Sequence, residues 1–376
     1  MIENALPDDP TPKKLRTVPL DAWHRALGAR MVEFAGYAMP VQYQGVLAEH
    51  LHCRAQATLF DVSHMGQATL TGAPAAAALE RLVPGDLLGL KPGRQRYTLL
   101  TNEVGGILDD LMVANPGGEK LFLVVNASRK EIDFTHIAAN LPSGVQFHEH
   151  DDRALLALQG PAAAAVISHI SAEASQIPFM GMAAVTLAGI PCLVARSGYT
   201  GEDGFEISLP AESAQALAQR ILDEPEVIPA GLGARDSLRL EAGLCLYGND
   251  IDELTSPIEA DLAWVIGRRR RNAWDFPGAA VIRDQLEHGA PRRRVGIRPD
   301  GRAPARALTE IVAGDGTEAG TVTSGGFSPT LSAPIAMGYV RKDLTADGTA
   351  LHLMVRGKPL PARVVPLPFV PHRYAR

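Results

Sequence analysis

Three cysteines, Cys53, Cys192 and Cys245, are too few for a disulfide framework, which points to a reducing compartment or simply to no redox role. Excess charge is equally scarce. Lys and Arg number 36 against 42 Asp and Glu, a net −6, which argues against a nucleic-acid partner whose phosphates must be neutralised. In residues 1–20, Glu3, Asp8 and Asp9 interrupt any apolar run, so neither a secretory signal nor a mitochondrial presequence is expected. The longest uncharged run, the 19 residues Ile177–Ala195, contains Pro178, Gly181, Gly189 and Pro191. It reads as strand, turn and strand rather than a membrane span. These absences predict a soluble, cytoplasmic protein with no membrane partner.

What is there is ordinary for a folded chain: 46% hydrophobic and 21% charged residues allow a sizeable core. Its 376 residues suggest two or three domains. Residues 1–16 are polar and Pro-rich and are expected to be loose. The pattern predicts a helix over Trp23–Arg30 ending near Gly28, an Ala-rich helix over Pro74–Val83, and strands over Tyr97–Leu100, Ile107–Val113 and Leu121–Val125. Ser128-x-x-Glu131 has the form of a capping box for a helix to about Asn140. Further strands are expected at Leu155–Leu158 and Gly204–Leu209, a hairpin at Val185–Ser197, and helices after Gly160-Pro161, over Pro210–Asp223 and over Arg235–Ala242. From Arg292 the chain turns to short strands spaced by Gly and Pro, the mark of a small β domain, with a linker expected over Arg268–Arg294. There is no fixed-period repeat and no low-complexity tract.

Several constellations invite chemistry. Asp109 and Asp110 are adjacent on a predicted strand, so their side chains point to opposite faces. Asp110 shares a face with Leu108 and Met112, and Asp109 with Ile107, Leu111 and Val113. The two cannot form a proton-sharing dyad with each other, and a carboxylate among apolar neighbours needs a donor or a cation. The bland alternative is a charge near a turn, facing water. Gly198–Glu206 is a Gly-rich loop that lacks the Lys of a phosphate loop and carries Glu202, Asp203 and Glu206. Acids beside Tyr199 suit a flat, donor-rich ligand such as a pterin, against the alternative of a turn with solvated acids. His50-x-His52-Cys53 and His148-x-His150 lack the further ligands zinc requires, so no metal is expected. Cys245 reads as packing rather than a nucleophile. Arg268–Arg271 reads as a solvated linker or a docking patch for an acidic protein.

Eight motifs then stand in order: Met31–Pro40, Phe60–Met65, Gly105–Leu111, Leu158–Pro161, Gly198–Glu206, Ala234–Gly243, Asp275–Gly278 and Thr323–Gly326. Together they span Leu20 to Tyr374 and resemble the glycine cleavage T-protein family, tetrahydrofolate-dependent aminomethyltransferases. That resemblance implies an α+β, three-domain, cloverleaf-like fold. Two intertwined, mixed α/β folate-binding subdomains would occupy residues 17–285, and a small C-terminal β-barrel-like domain residues 292–376. It implies tetrahydrofolate as co-substrate and a lipoylated H-protein as partner. The products would be ammonia, 5,10-methylenetetrahydrofolate and the dihydrolipoyl arm. By the same resemblance Asp110 is the catalytic residue. Met65, Tyr97, Asn126, Tyr199, Glu206, Arg235 and Tyr374 are implied as folate-site residues, with Arg235 either touching folate or orienting Glu206. Ala114 stands where some members carry Tyr, and Ala307 where a glycine is expected.

Two rivals share the fold: a folate-dependent demethylase or oxidase module, and a non-enzymatic folate-binding protein of iron–sulfur maintenance. The first, in its fused form, needs a flavin domain for which there is no fingerprint. The second carries a Lys-Gly-Cys signature, whereas this chain has Ala242-Gly243-Leu244-Cys245.

Overall fold

The computed structural model describes residues 14–375, so most of the expected loose opening, residues 1–13, lies outside the described residues. Its end is not loose. Arg16–Thr17 is a short strand running parallel to Tyr37–Gln42, and the Arg16 guanidinium lies 4.3 Å above the Tyr37 ring.

Two sheets form the body of the protein. The first is a five-stranded antiparallel sheet in the order Arg94–Thr101, Ile107–Asn115, Lys120–Val125, Gly66–Thr71, Gln146–Glu149. Along Ile107–Val113 buried and half-buried residues alternate strictly, as a strand with one packed face demands. Leu111, Val113, Leu121 and Leu123 meet Leu79 of the Ala75–Glu80 helix and Phe134 and Ile137 of Lys130–Ala139. The second sheet has six strands in the order Met182–Leu187, Ile190–Ala195, Gly204–Pro210, Arg153–Gln159, Ala57–Asp61, Val227–Pro229. Its helices are Ala163–Ile170 and Ala214–Leu222. Ala57–Asp61 lies in the second sheet and Gly66–Thr71 in the first, so the chain crosses between them within one turn, at Val62–Met65. The uncharged run is indeed two strands. Among the described residues no helix is long and apolar enough to cross a membrane.

The last part is a closed six-stranded barrel over Arg292–Val365, with the mixed α and β body before it, as the resemblance implies. The helix Leu232–Glu241 joins barrel to body. Arg239 donates to Asp250 at 2.7 Å and to Ser324 at 2.9 Å, and Thr323 and Ser324 donate to the same Asp250 carboxylate at 2.5 and 2.8 Å. The Thr323-Ser324 motif is therefore a fastening of the barrel.

One element is added and two expectations are corrected. A helix Val46–Ala55, not foreseen, packs against Leu232–Glu241 and against the strand Ala57–Asp61. Buried on two sides, it has no clean apolar stripe to betray it. Its signal was Glu49, which accepts from the backbone N–H groups of Tyr43, Gln44 and Gly45 at 2.6, 2.9 and 3.1 Å. The capping box does not form: helix Lys130–Ala139 starts after Arg129 with no side-chain cap, and Glu131 pairs with Arg16. Nor is Arg268–Arg294 a linker, since it holds the helices Arg268–Ala273 and Ala279–His288.

The arginine block is correspondingly tied into the fold, with Arg268, Arg269 and Arg271 still exposed. Arg270 is buried and donates to the carbonyls of Glu80 and Val83 and to Asp275, while Arg269 pairs with Glu80 and Asp86. Arg271 donates to the Ile266 and Ala263 carbonyls. Arg270→Ala is expected to destabilise by ~3–5 kcal/mol because Glu80 is left buried and underpaired. Arg268→Gln should stay within about 0.5 kcal/mol, both read by chemical denaturation.

Candidate functional site

Two of the three glycines in the Gly-rich loop make room for one side chain, and the third, Gly201, sits at φ 78°. A Cβ on Gly198 would lie 1.8 Å from Gln159 Oε1, and one on Gly204 would lie 2.3 Å from Gln159 Nε2. Gln159 pins the loop from within, donating to the Ser197 carbonyl at 2.9 Å and accepting from Thr200 at 2.8 Å. The loop's acids are not solvated, contrary to the turn alternative. Glu202 is fully buried against Arg54 and Arg373, and Asp203 pairs with Arg196 at 2.6 Å. That leaves Glu206, half-buried, with its Oε2 accepting from Ser197 Oγ at 2.6 Å.

Asp110 is held by three elements. The alternation seen along Ile107–Asn115 puts Asp109 wholly inside and Asp110 on the half-buried face with Leu108 and Met112. Asn126, at the end of the neighbouring strand, donates through Nδ2 to Asp110 Oδ1 at 2.7 Å and to Asp109 Oδ1 at 2.9 Å. Tyr97, on the strand paired from the other side, donates to the Asp110 carboxyl. Burial, with the Asp109 charge adding to it, pushes Asp110 up to about 7, against the pull of Tyr97 and Asn126. A carboxyl so placed changes charge near neutrality.

Tyr199 links the two halves. Its hydroxyl donates to the Cys245 carbonyl, its ring lies within electrostatic reach of Asp110, and the Arg235 guanidinium sits 4.7 Å above that ring. Burial lowers the Arg235 pKa, while Glu206 and Tyr199 oppose the shift. Among the described residues, Arg235 Nη1 is buried with no hydrogen-bond partner, and Glu206 is held by Ser197 instead. Thus Asp110, Tyr97, Asn126, Tyr199, Arg235 and Glu206 form one connected group. Met65 packs against the hydrophobic cluster of Phe60, Val62 and Leu238 and stands outside that group. Tyr374 stacks on Phe179 with centroids 4.7 Å apart, while Arg373 and Ala375 on either side are bonded to Glu202 and Asp203 of the loop. Ala114 is buried against Phe122, Met182 and Ala195. At the missing glycine, Ala307 is followed by exposed Leu308 at φ 68°.

Other residues of the group were not legible beforehand. Ser197 lies outside any motif, and Trp264, 64% exposed, stacks on Tyr97 at 5.5 Å from a segment far along the chain. His64, in the turn between the sheets, is buried with Nδ1 unpartnered; burial, then Arg235, pulls it down to about 3, so it is neutral. His50 and His52 have other duties, with Ser237, Thr330 and Glu241 for the first and the Glu226 carbonyl for the second. Burial pushes the Cys245 thiol up to about 12, which leaves it unreactive.

A family model described as the GCVT N-terminal domain matches residues 20–270, and one described as the glycine cleavage T-protein C-terminal barrel domain matches residues 292–371. Mitochondrial aminomethyltransferase of Gallus gallus is 50% identical, the match covering 96% of this chain and 94% of that one. The Homo sapiens counterpart is 48% identical, over 96% of this chain and 91% of its own. The crystal structure of glycine cleavage system aminomethyltransferase T from Bartonella henselae superposes with a TM-score of 0.91 at 43% identity, covering 96% of this chain and all of that one.

Proposed function

Because the chain belongs to the glycine cleavage T-protein family of aminomethyltransferases, we propose that its Asp110 group is where an aminomethyl carbon passes to tetrahydrofolate. The enzyme is an aminomethyltransferase of the glycine cleavage system. The donor is the S-aminomethyl lipoyl arm of H-protein; the C–S bond breaks, ammonia leaves, and the carbon ends bonded to two folate nitrogens. Tetrahydrofolate supplies the accepting nitrogens.

The chain's residues fit this ligand. Glu206 offers a carboxylate to the N–H edge of a pterin, held by Ser197 at 2.6 Å so that it does not turn away. Arg235 presents an unpartnered buried Nη1 beside Tyr199, which supports ligand contact over a role in orienting Glu206. Ionised Asp110 accepts an N–H and favours the positive charge that develops as the C–S bond opens. The observation that carries the reading is the Asp110 carboxyl itself, half-buried and fixed by Asn126 at 2.7 Å. Met65 and Tyr374 belong to the same proposal as outer contacts, and a cytoplasmic location, testable by fractionation, is part of it.

The test is release of ammonia from aminomethylated H-protein with and without tetrahydrofolate. Ammonia and methylenetetrahydrofolate in equal amounts, only when folate is present, are expected; folate-independent release would refute it. Arg235→Ala should weaken tetrahydrofolate binding by about 10–100-fold in equilibrium titration, since a charged hydrogen bond contributes ~1.5–3 kcal/mol.

A further inference from the structure

Behind Asp110 lies a second pair of acids that the proposed reaction does not use. Asp109 is 0% and Asp133 1% exposed. Asp133 stands in the first turn of the helix Lys130–Ala139, which packs on the sheet face that Leu111 and Val113 share with Asp109. Their carboxyl groups lie within hydrogen-bonding reach of each other. Among the described residues neither oxygen of Asp133 meets an N–H or O–H donor. Two carboxylates cannot hydrogen-bond; one of them must carry a proton to donate.

Asn126 ties this pair to the site. Its Nδ2 reaches Asp109 Oδ1 at 2.9 Å, Asp110 Oδ1 at 2.7 Å and the Asp110 carbonyl at 3.1 Å, and its backbone N–H reaches Asp109 Oδ2 at 3.1 Å. One amide thus spans both aspartates. We propose that Asp109 and Asp133 share a single proton and that this neutralised pair, acting through Asn126, positions Asp110 as the charged carboxylate of the site.

The charges around the pair agree. Arg129 and Asp110 face Asp133, and Tyr247 and Glu253 approach from the segment after Cys245, with Arg129 set 5.1 Å from the Tyr247 ring. Arg129 is itself turned to Glu253 at 2.8 Å. Burial, then Asp133, raises Asp109 well above the usual carboxylate range, and burial pushes Asp133 up to about 7. With Asp109 neutral, the like charge that adds to the Asp110 shift is absent and burial alone raises it, so Asp110 ionises more readily than beside a charged neighbour.

The inference rests on Asp110 being the reacting carboxylate, but its first test does not. Infrared spectra of the folded enzyme at about pH 8.5, where Asp110 is ionised and Asp109 is not, should show a protonated-carboxyl C=O band that shifts in heavy water. That band should vanish in Asp109→Asn, weaken or shift in Asp133→Asn, and persist in Asp110→Asn. No such band, or a band lost only in Asp110→Asn, overturns proton sharing. In kinetics, Asp109→Ala should lower kcat about tenfold with little change in folate affinity, and Asp109→Asn, a neutral isostere, should recover most of it. Equal loss in both Asp109 variants overturns the positioning role. Full activity of Asp110→Asn would instead overturn the proposed function, leaving the infrared result standing.

Discussion

Asp110→Asn is expected to lower kcat by roughly 100- to 1,000-fold while leaving tetrahydrofolate affinity within a few-fold of wild type. The amide keeps the shape and one acceptor oxygen, so Asn126 and Tyr97 retain a partner. What is lost is the negative charge, whose stabilising effect appears only as cationic character develops on the departing carbon, so the loss falls on turnover. The wild-type carboxyl, pushed up to about 7, is ionised above that pH and protonated below it. If the ionised form is active, kcat/KM rises with pH through an acid limb near 7. The limb should disappear in Asp110→Asn. A profile flat between pH 5.5 and 8 in wild type would sink this assignment.

The second large effect is on stability. Arg54 is 8% exposed and donates to Glu241 at 2.9 Å, to Glu202 at 2.7 Å and to the Thr200 carbonyl at 2.7 Å. Glu241 accepts in addition from Ser328 at 2.5 Å and Thr330 at 2.7 Å, and lies 3.1 Å from His50; Glu202 accepts from Arg373 of the C-terminal tail. One guanidinium therefore joins the helix Val46–Ala55, the pterin-side loop, the helix Leu232–Glu241 and, through the two glutamates, the barrel and the tail. Arg54→Ala removes the buried cation that two buried carboxylates share and is expected to cost ~3–5 kcal/mol, measured as the shift in denaturation midpoint. A change below about 1 kcal/mol would mean the network is not coupled. The same network sets an acid limit. Burial opposes ionisation of Glu241, but bonds from His50, Ser328 and Thr330 hold it down to about 2. Its contribution is present above the unfolded value near 4.3 and is lost as pH falls through about 2.

The elements around Asp110 were legible because local pattern and tertiary demand coincide there. Ile107–Val113 alternates on one packed face, and that alternation alone separates Asp109 from Asp110. The β character of the chain after Arg292 followed from turn residues at short spacing. Where elements are buried on more than one side, the periodic signal fades, as at Val46–Ala55. The arginine block misled for a related reason: charge runs are usually solvated, and nothing local reveals that Glu80, far upstream, takes up Arg269 and Arg270. Ser197, Trp264 and Asp133 act on the site only through contacts made across the fold, so no spacing in the sequence could mark them.

A crystal structure with reduced folate bound tests the central claim most directly. The Asp110 carboxylate is expected within about 3 Å of a folate nitrogen, with Glu206 on the pterin edge and Arg235 Nη1 no longer unpartnered. Folate seated elsewhere, with Asp110 left facing water, would contradict it.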